Sequence, residues 1–117
     1  MAYVLLIMEP PGIREGRSAA DGEARYRRME AFSADLKARG VLRVSQSLKS
    51  DAGSVRLRRR AGRSTLVDGP FAEAKEIVGG FFWVTCESRA EAVAIAEECP
   101  AAEWATIEVR ELGACYE

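Results

Sequence analysis

The chain has 117 residues, of which 48% are hydrophobic and 30% are charged, and its formal net charge is −1 at pH 7. This length and composition predict a single packed domain over residues 1–117 and exclude wholesale disorder. The near-zero net charge provides no general field for nucleic acid or an anionic membrane, so neither is an expected partner.

The first part of the chain predicts a strand, a helix and a second strand. Tyr3–Met8 is apolar at every position, which indicates a strand that is covered on both faces and central in its sheet. That run is too short to span a bilayer, and the N-terminus lacks the pattern of a signal peptide. After a polar loop, residues 19–39 predict a helix, with Ser18 as its N-cap and Gly40 as its C′ residue. Val41–Leu48 is the second predicted strand.

The predicted helix carries one apolar stripe with two possible uses. Its members recur at helical spacing and are Tyr26, Met29, Phe32, Ser33 and Leu36. We expect them to pack in the core, with the lining of a ligand pocket as the alternative.

A basic hairpin is predicted next. Ser54–Arg58 alternates apolar and basic residues, Arg59–Arg63 turns the chain, and Ser64–Val67 returns beside the first strand. Its arginines are Arg56, Arg58, Arg59, Arg60 and Arg63. We expect a solvated edge, because the whole chain is not basic and no aromatic residues are interleaved. A nucleic-acid contact is the alternative.

The last part of the chain repeats the strand–helix–strand order. Phe81–Cys86 is a second run that is apolar on both faces, and Ser88 with Glu91 forms a capping-box pattern for the helix that follows. Thr106–Leu112 is an alternating final strand. The whole order predicts a ferredoxin-like α+β sandwich of the βαββαβ type.

Two helices can cover only one face of such a sheet. The other face would carry alternate residues of the two doubly apolar strands, such as members of Tyr3–Met8 and Phe81–Val84. Because a large apolar face is not left in water, we expect a ligand, a second copy of the chain, or both to cover it. The prediction is a homodimer with the two sheets face to face.

The absence of histidine limits the chemistry open to the protein. Any acid–base step must use Asp, Glu, Lys, Tyr or Cys with a shifted pKa. Cys86, Cys99 and Cys115 are odd in number and lack metal-ligand spacing. We therefore expect reduced thiols in the cytoplasm, with no disulfide framework and no metal site. Neither a P-loop nor a Rossmann spacing is present, and no cofactor is expected.

The stretch Val67–Phe82 holds most of the candidate functional residues. It joins a carboxylate, a Gly-Pro turn, an aromatic ring, alternating charges and a Gly-Gly pair between two apolar strands. Loops that carry function often have this composition. The candidate catalytic residue is Asp68, and the candidate ligand-binding residues are Gly69, Pro70, Phe71, Glu73, Lys75 and, from the last strand, Arg110.

The Asp68 turn has a functional and a structural interpretation. Asp68 can be a general base or a polar anchor in a pocket at the end of the sheet, provided that partial desolvation raises its pKa. Alternatively, its side chain can hold the turn by accepting backbone N–H groups two residues on. Gly69 would then tolerate positive φ, and Pro70 would suit the first position of a short helix.

The remaining candidates are also ambiguous. Glu73 and Lys75 can contact a small polar ligand or belong to a solvated surface turn. Arg110 can bind a carboxylate through two hydrogen bonds, pair with Glu108, or pair across a dimer interface. The Gly79-Gly80 pair indicates a β-bulge or a close backbone approach.

The order of these residues resembles a family signature. Asp68-Gly69-Pro70-Phe71, then Ala72-Glu73-Ala74-Lys75-Glu76, then Gly79-Gly80-Phe81-Phe82 are similar to the pattern of the YCII-related family, DGPF subgroup. Met1–Glu9 and Ile107–Arg110 look like that family's opening and closing strands. The chain departs from the usual pattern at Val67 and Ala74, where Thr is usual, and at Phe82, where Tyr is common.

The resemblance implies a dimeric α/β-barrel version of the ferredoxin-like fold. It implies no particular reaction, because the His–Asp pair proposed for related YCII proteins has no counterpart in a chain without histidine. DGPF proteins often accompany sigma factors or are fused to them, which implies a regulatory setting.

Three functions follow as hypotheses. The first is a small cytoplasmic homodimer that binds a small molecule in a pocket between the sheet and the Asp68–Phe71 loop, in a regulatory or accessory role. The second is a cofactor-independent enzyme with Asp68 as acid or base and Arg110 or Lys75 as anion stabiliser. The third is an interaction module that acts on a transcription factor or nucleic acid through the basic hairpin.

Overall fold

The computed structural model of the protein describes residues 1–116, which form six strands and two α-helices, with short 3-10 helices at Asp51–Gly53 and Pro100–Glu103. The strands are β1 (Ala2–Glu9), β2 (Leu42–Ser47), β3 (Val55–Arg60), β4 (Arg63–Asp68), β5 (Ile77–Thr85) and β6 (Thr106–Glu111), and the helices are α1 (Ala19–Ala38) and α2 (Arg89–Glu98). No helix in this part of the chain is both long and apolar enough to cross a membrane.

Four of the strands form one antiparallel sheet in the order β2-β5-β1-β6. Helix α1 connects β1 to β2, and helix α2 connects β5 to β6, so each helix crosses from a central strand to an edge strand. This is the ferredoxin-like α+β arrangement, and the predicted fold class is confirmed. Strands β3 and β4 form a separate two-stranded sheet, inserted between β2 and β5.

The core lies between the helices and one face of the four-stranded sheet. Along β1 the odd-numbered residues Tyr3, Leu5 and Ile7 are buried, whereas their even-numbered neighbours are half-buried. Phe32 of α1 packs edge-on against Phe82 of β5, with the ring centroids 5.2 Å apart. Helix α2 adds Ala92, Ile95 and Ala96 to this core. The alternation along β1 gives the sheet one face covered by helices and one open face.

The predicted helix caps are confirmed. The backbone N–H of Asp21 donates to Ser18 Oγ at 3.1 Å, and Gly40 follows α1 with φ of 75°. At the start of α2, the N–H of Glu91 donates to Ser88 Oγ at 3.1 Å. The Glu91 carboxylate accepts in return from the backbone N–H of the residue before the cap, at 2.9 Å. Local sequence therefore fixes where both helices begin.

The hairpin turn is tighter than predicted. The register ends with Arg60 opposite Arg63, so the turn is only Ala61-Gly62 rather than Arg59–Arg63. Both turn residues have positive φ, 51° and 74°, which is the type I′ geometry that fits the twist of a two-residue hairpin. The hairpin is exposed along its whole length, as expected for its arginines. Its apolar residues Val55, Leu57, Leu66 and Val67 are also at least 53% exposed.

The open face of the sheet has an apolar centre. Its central residues, all half-buried, are Val4, Leu6, Met8, Phe81 and Trp83. The Arg43 guanidinium lies 5.3 Å from the centroid of the Trp83 ring. The indole N–H of Trp83 is buried and has no hydrogen-bond partner within residues 1–116. The molecule measures 45 × 42 × 19 Å, so its smallest dimension fits one sheet with one helical layer.

Candidate functional site

A cavity lies on the helix side of the sheet, between α1 and the strands β2 and β5. Its volume is about 550 Å³, within the range of small-molecule sites. The sheet contributes Ile7, Phe82 and the Gly79-Gly80 pair, and the helix contributes Met29 and neighbouring residues. The loop after β1 closes one end. The cavity is therefore formed by α1 and the sheet, together with the loop after β1 and the segment between α2 and β6.

A buried ion pair lies at the loop end of the cavity. Glu9, the last residue of β1, is only 4% exposed, and Arg14 Nη2 donates to Glu9 Oε1 at 2.8 Å. The Arg14 Nε donates to the two carboxylate oxygens at 3.2 and 3.3 Å. The same guanidinium donates to the carbonyl oxygens of Leu48 at 2.5 Å and Gly79 at 3.0 Å. Such charge-assisted bonds satisfy the desolvated carboxylate of Glu9.

The Gly79-Gly80 pair makes room for this arrangement. Ile7 pairs with Gly80 but Met8 pairs with Val78, so Gly79 is the extra residue of a β-bulge. A Cβ on Gly79 would lie 1.9 Å from Glu9 Oε1, and a Cβ on Gly80 would lie 2.9 Å from a backbone oxygen of β2. The predictions of a bulge and of a close approach are both confirmed. Both glycines lie inside β5, however, because that strand already begins at Ile77.

The walls of the cavity combine aromatic and cationic groups. Tyr26 and Trp104 line it from the helix side, and the Arg25 guanidinium lies 4.8 Å from the centroid of the Trp104 ring. Arg17 and Lys37 also line the cavity. Since Glu9 and Arg14 neutralise each other, the lining is left with more positive than negative charge. This combination suits a ligand that has an apolar part and a polar part.

The apolar stripe of α1 serves both of its predicted uses. Phe32 and Leu36 are buried in the core. Tyr26, Met29 and Ser33 line the cavity, and the Ser33 and Ser45 hydroxyls lie 3.0 Å apart. Core packing and pocket lining are therefore shared along one helix face, with Ser33 lining the cavity between the core residues Phe32 and Leu36.

The Asp68–Phe71 turn lies at the base of the hairpin, outside the lining of this cavity. Asp68 is the last residue of β4, opposite Val55, and is exposed. Phe71 is half-buried beneath the Arg56 guanidinium, 4.0 Å from its ring centroid. The structure thus brings Asp68, Gly69, Pro70 and Phe71 together in one turn, separate from the Glu9–Arg14 pair.

The structural interpretation of this turn needs three corrections. Asp51, not Asp68, accepts the N–H of Phe71, at 2.8 Å. Gly69 does not have positive φ; instead, a Cβ there would lie 1.9 Å from the carbonyl oxygen of Asp51, so glycine is needed for a close backbone approach. Pro70 does not begin a helix, because the residues that follow it form turns. The contact with Asp51 links positions far apart in sequence, which local turn rules cannot reveal.

The other predicted site residues are dispersed. Glu73 and Lys75 are exposed in the turns that follow Phe71. Arg110 is opposite Val4 on the open face of the sheet, and its Nε lies 3.7 Å from Glu108 Oε2. The pair with Glu108 that was one of the alternatives is therefore present. In a single chain, Arg110 is on the far side of the sheet from the cavity.

Sequence reasoning missed Glu9 and Arg14. The alternation of buried and half-buried residues along β1 could have predicted that Glu9 is buried, because Glu9 is the next odd-numbered residue after Tyr3, Leu5 and Ile7. A carboxylate at a buried strand position predicts a buried charge that needs a partner. Arg14 had no such signal, since its position depends on the loop path. Within residues 1–116 no three Cys, Asp or Glu side chains converge as metal ligands.

Two comparisons with known proteins agree with this fold and sequence pattern. The family model described as YCII-related domain matches residues 1–113. The chain is also similar to the uncharacterized protein R00369 of Rhizobium meliloti (strain 1021), with 31% identity over 98 residues. That match covers 84% of this chain and 79% of the relative. The chain therefore belongs to the YCII-related family.

Proposed function

We propose that the protein binds a small molecule in the cavity between α1 and the sheet, and that it does so as a homodimer. The observation that carries the proposal is the preformed cavity of about 550 Å³ with the Glu9–Arg14 pair at one end. A buried polar pair beside aromatic walls is typical of sites that orient a ligand. Its role is regulatory or accessory, in a cytoplasmic protein whose described cysteines are free thiols.

The homodimer is supported by the open face. Five half-buried apolar side chains, Val4, Leu6, Met8, Phe81 and Trp83, cluster there without a covering layer. Packing two such faces about 10 Å apart would bury them, as in other two-sheet assemblies. A second chain could also provide an acceptor for the buried indole N–H of Trp83. This face-to-face pairing corresponds to the dimeric α/β-barrel type.

The Asp68-Gly69-Pro70-Phe71 motif supports membership of the DGPF subgroup, and ligand binding at this turn is the alternative location for the site. In one chain Asp68 is exposed, and a general base needs partial desolvation to work near neutral pH. The enzyme alternative therefore requires a partner chain or a ligand to cover Asp68. The interaction alternative rests on the exposed arginines of the hairpin.

The cavity proposal is tested by blocking the cavity without disturbing the core. Ala34 is exposed and lines the cavity, so Ala34→Trp should fill it. Ala31 is also an exposed alanine of α1 but does not line the cavity, so Ala31→Trp is the matched control. Native mass spectrometry of gently purified protein measures both the oligomeric state and any bound mass.

We expect two chains plus a small-molecule increment for the native protein and for Ala31→Trp, and loss of the increment for Ala34→Trp. An increment that persists in Ala34→Trp would move the binding site elsewhere, first to the Asp68–Phe71 turn. A monomer would contradict the face-to-face arrangement.

A further inference from the structure

We infer that the cavity takes a small organic anion with a planar apolar body, that is, a carboxylate or phosphate joined to an aromatic or similar group. This inference rests on the proposed small-molecule site and specifies its ligand class. It depends on the charges in the lining, on which of them are already paired, and on the apolar surface beside them.

The lining has an excess of positive charge that the protein itself does not neutralise. Arg14 is paired with Glu9 and so contributes no net charge. The remaining ionised side chains of the lining are Arg17, Arg25, Lys37 and Glu30. Three cations against one carboxylate leave a net charge of +2 in a chain whose formal total is −1. Local charge of this kind in a concave site favours an anion.

The pairing pattern along α1 separates cations inside the cavity from cations outside it. Outside the cavity, Arg27 pairs with Glu23, Arg28 pairs with Glu103, and Arg39 pairs with both Asp35 and Glu98. Within residues 1–116, Arg17, Arg25 and Lys37 have no carboxylate within ion-pair distance. Apart from Arg14, the cations that line the cavity are thus free to bind an external anion.

Arg17 is placed to face the ligand because the helix leaves room for it. It is half-buried, and its Nε would lie 3.2 Å from a Cβ built on Gly22. A larger residue at that position would press on the guanidinium. A guanidinium presents a planar set of donors to a carboxylate or phosphate, which makes Arg17 the main anion contact of the site.

The apolar part of the ligand is defined by the surface between these cations. Trp104, Tyr26 and Met29 form one wall, with Phe82 and Ile7 on the sheet side. The Arg25 guanidinium, itself a planar group, lies over the Trp104 ring at 4.8 Å from its centroid. A ligand with positive charge is disfavoured, because Glu9 already has Arg14 as its partner and the three free cations of the lining outnumber Glu30.

The test compares three probes of nearly the same shape: 1-naphthoate, the neutral 1-naphthamide, and the cationic 1-naphthylmethylamine. Binding is followed on the native protein by two-dimensional amide NMR at low salt. The indole N–H of Trp104 reports on the cavity, and that of Trp83 reports on the open face. We expect naphthoate to bind on the order of tenfold more tightly than naphthamide, and the preference to shrink as salt screens the charges.

Two variants connect this preference to particular residues. Arg17→Ala removes a free cation of the cavity, whereas Arg27→Ala removes an exposed arginine that pairs with Glu23 outside it. Both change the net charge by the same amount. We expect naphthoate affinity to fall severalfold in Arg17→Ala only, with the melting temperature of both variants close to that of the native protein.

The outcomes separate failure of the anion inference from failure of the proposed cavity site. Equal binding of naphthoate and naphthamide at the Trp104 signal would overturn the anion inference but keep the proposed cavity site. Preference for the amine, or an equal loss in Arg17→Ala and Arg27→Ala, would also overturn the inference. If no probe shifts the Trp104 indole or the Gly79 amide, both the inference and the proposed site are wrong.

Discussion

Replacement of Gly79 by alanine tests the most closely packed point of the site. The new Cβ would lie 1.9 Å from Glu9 Oε1, 2.4 Å from Glu9 Cδ and 2.9 Å from Arg14 Nη2. The carboxylate must therefore move, and we expect it to lose its 2.8 Å bond to Arg14 Nη2. Breaking a buried ion pair costs about 3–5 kcal/mol, and we expect about 3 kcal/mol because the Arg14 side chain is 24% exposed.

Urea unfolding followed by circular dichroism measures this loss. The matched control is Gly53→Ala, because a Cβ on Gly53 meets no atom within 4 Å and its φ is not positive. That control should leave the free energy of unfolding unchanged or raise it by about 0.4–1 kcal/mol through the entropy of the unfolded chain.

A double-mutant cycle identifies the cause of the loss. In a Glu9→Ala background the atoms that obstruct Gly79→Ala most closely are gone, so the second substitution should cost less than about 1 kcal/mol. Equal costs in both backgrounds, or a Gly79→Ala variant as stable as Gly53→Ala, would refute this account of the Gly79–Glu9 contact.

Three further predictions address the interface, the turn and the core. Leu6→Glu puts a charge in the centre of the open face and should convert a dimer to a monomer by native mass spectrometry, whereas Ala31→Glu on exposed helix surface should not. Asp68→Asn should change the free energy of unfolding by less than about 0.5 kcal/mol, because Asp68 is exposed and Asp51 holds the turn. A large decrease in the free energy of unfolding would support the structural role of Asp68. Loss of turnover in a variant that still folds would favour the enzyme alternative. Burial raises the pKa of the Cys99 thiol above its ordinary value of 9.0, so the unfolded chain ionises first. The contribution of Cys99 to the free energy of unfolding should be fully present below pH 9.0 and decrease as the pH rises above it. A urea midpoint that does not change above pH 9.0 would contradict this.

The architecture was predictable because it depends on patterns that are local or periodic. The two doubly apolar strands became the two central strands, and Ser18 and Ser88 capped the helices as expected. The apolar open face also followed, since two helices cover one face only. These features depend on alternation and on capping, both of which can be read from short windows of sequence.

The site was predicted less well because it depends on contacts between distant segments. Arg14 reaches Glu9 across a loop, and Asp51 holds Phe71 from a different turn. The Asp68–Phe71 stretch has the composition of a functional loop, but its position depends on how the segment between β2 and β5, which contains the hairpin, packs against the rest of the chain. Gly69 illustrates this: its need for glycine comes from Asp51 O, which only the folded chain brings close.

The contacts of Arg14 also have a consequence for local unfolding of the segment between β2 and β5. The chain leaves the main sheet after Ser47 and returns to it at Ile77, and the excursion between them contains the whole hairpin. The Arg14 guanidinium binds the carbonyl groups of Leu48 and Gly79, one at each end of this excursion, and the N–H of Leu48 also donates to Gly79 O at 2.9 Å. Ser50 Oγ also donates to Glu15 Oε1 at 2.9 Å, so residues 49–76 are held near the loop after β1, while their own strands are exposed. We therefore expect them to unfold and exchange their amide protons while the four-stranded sheet stays intact.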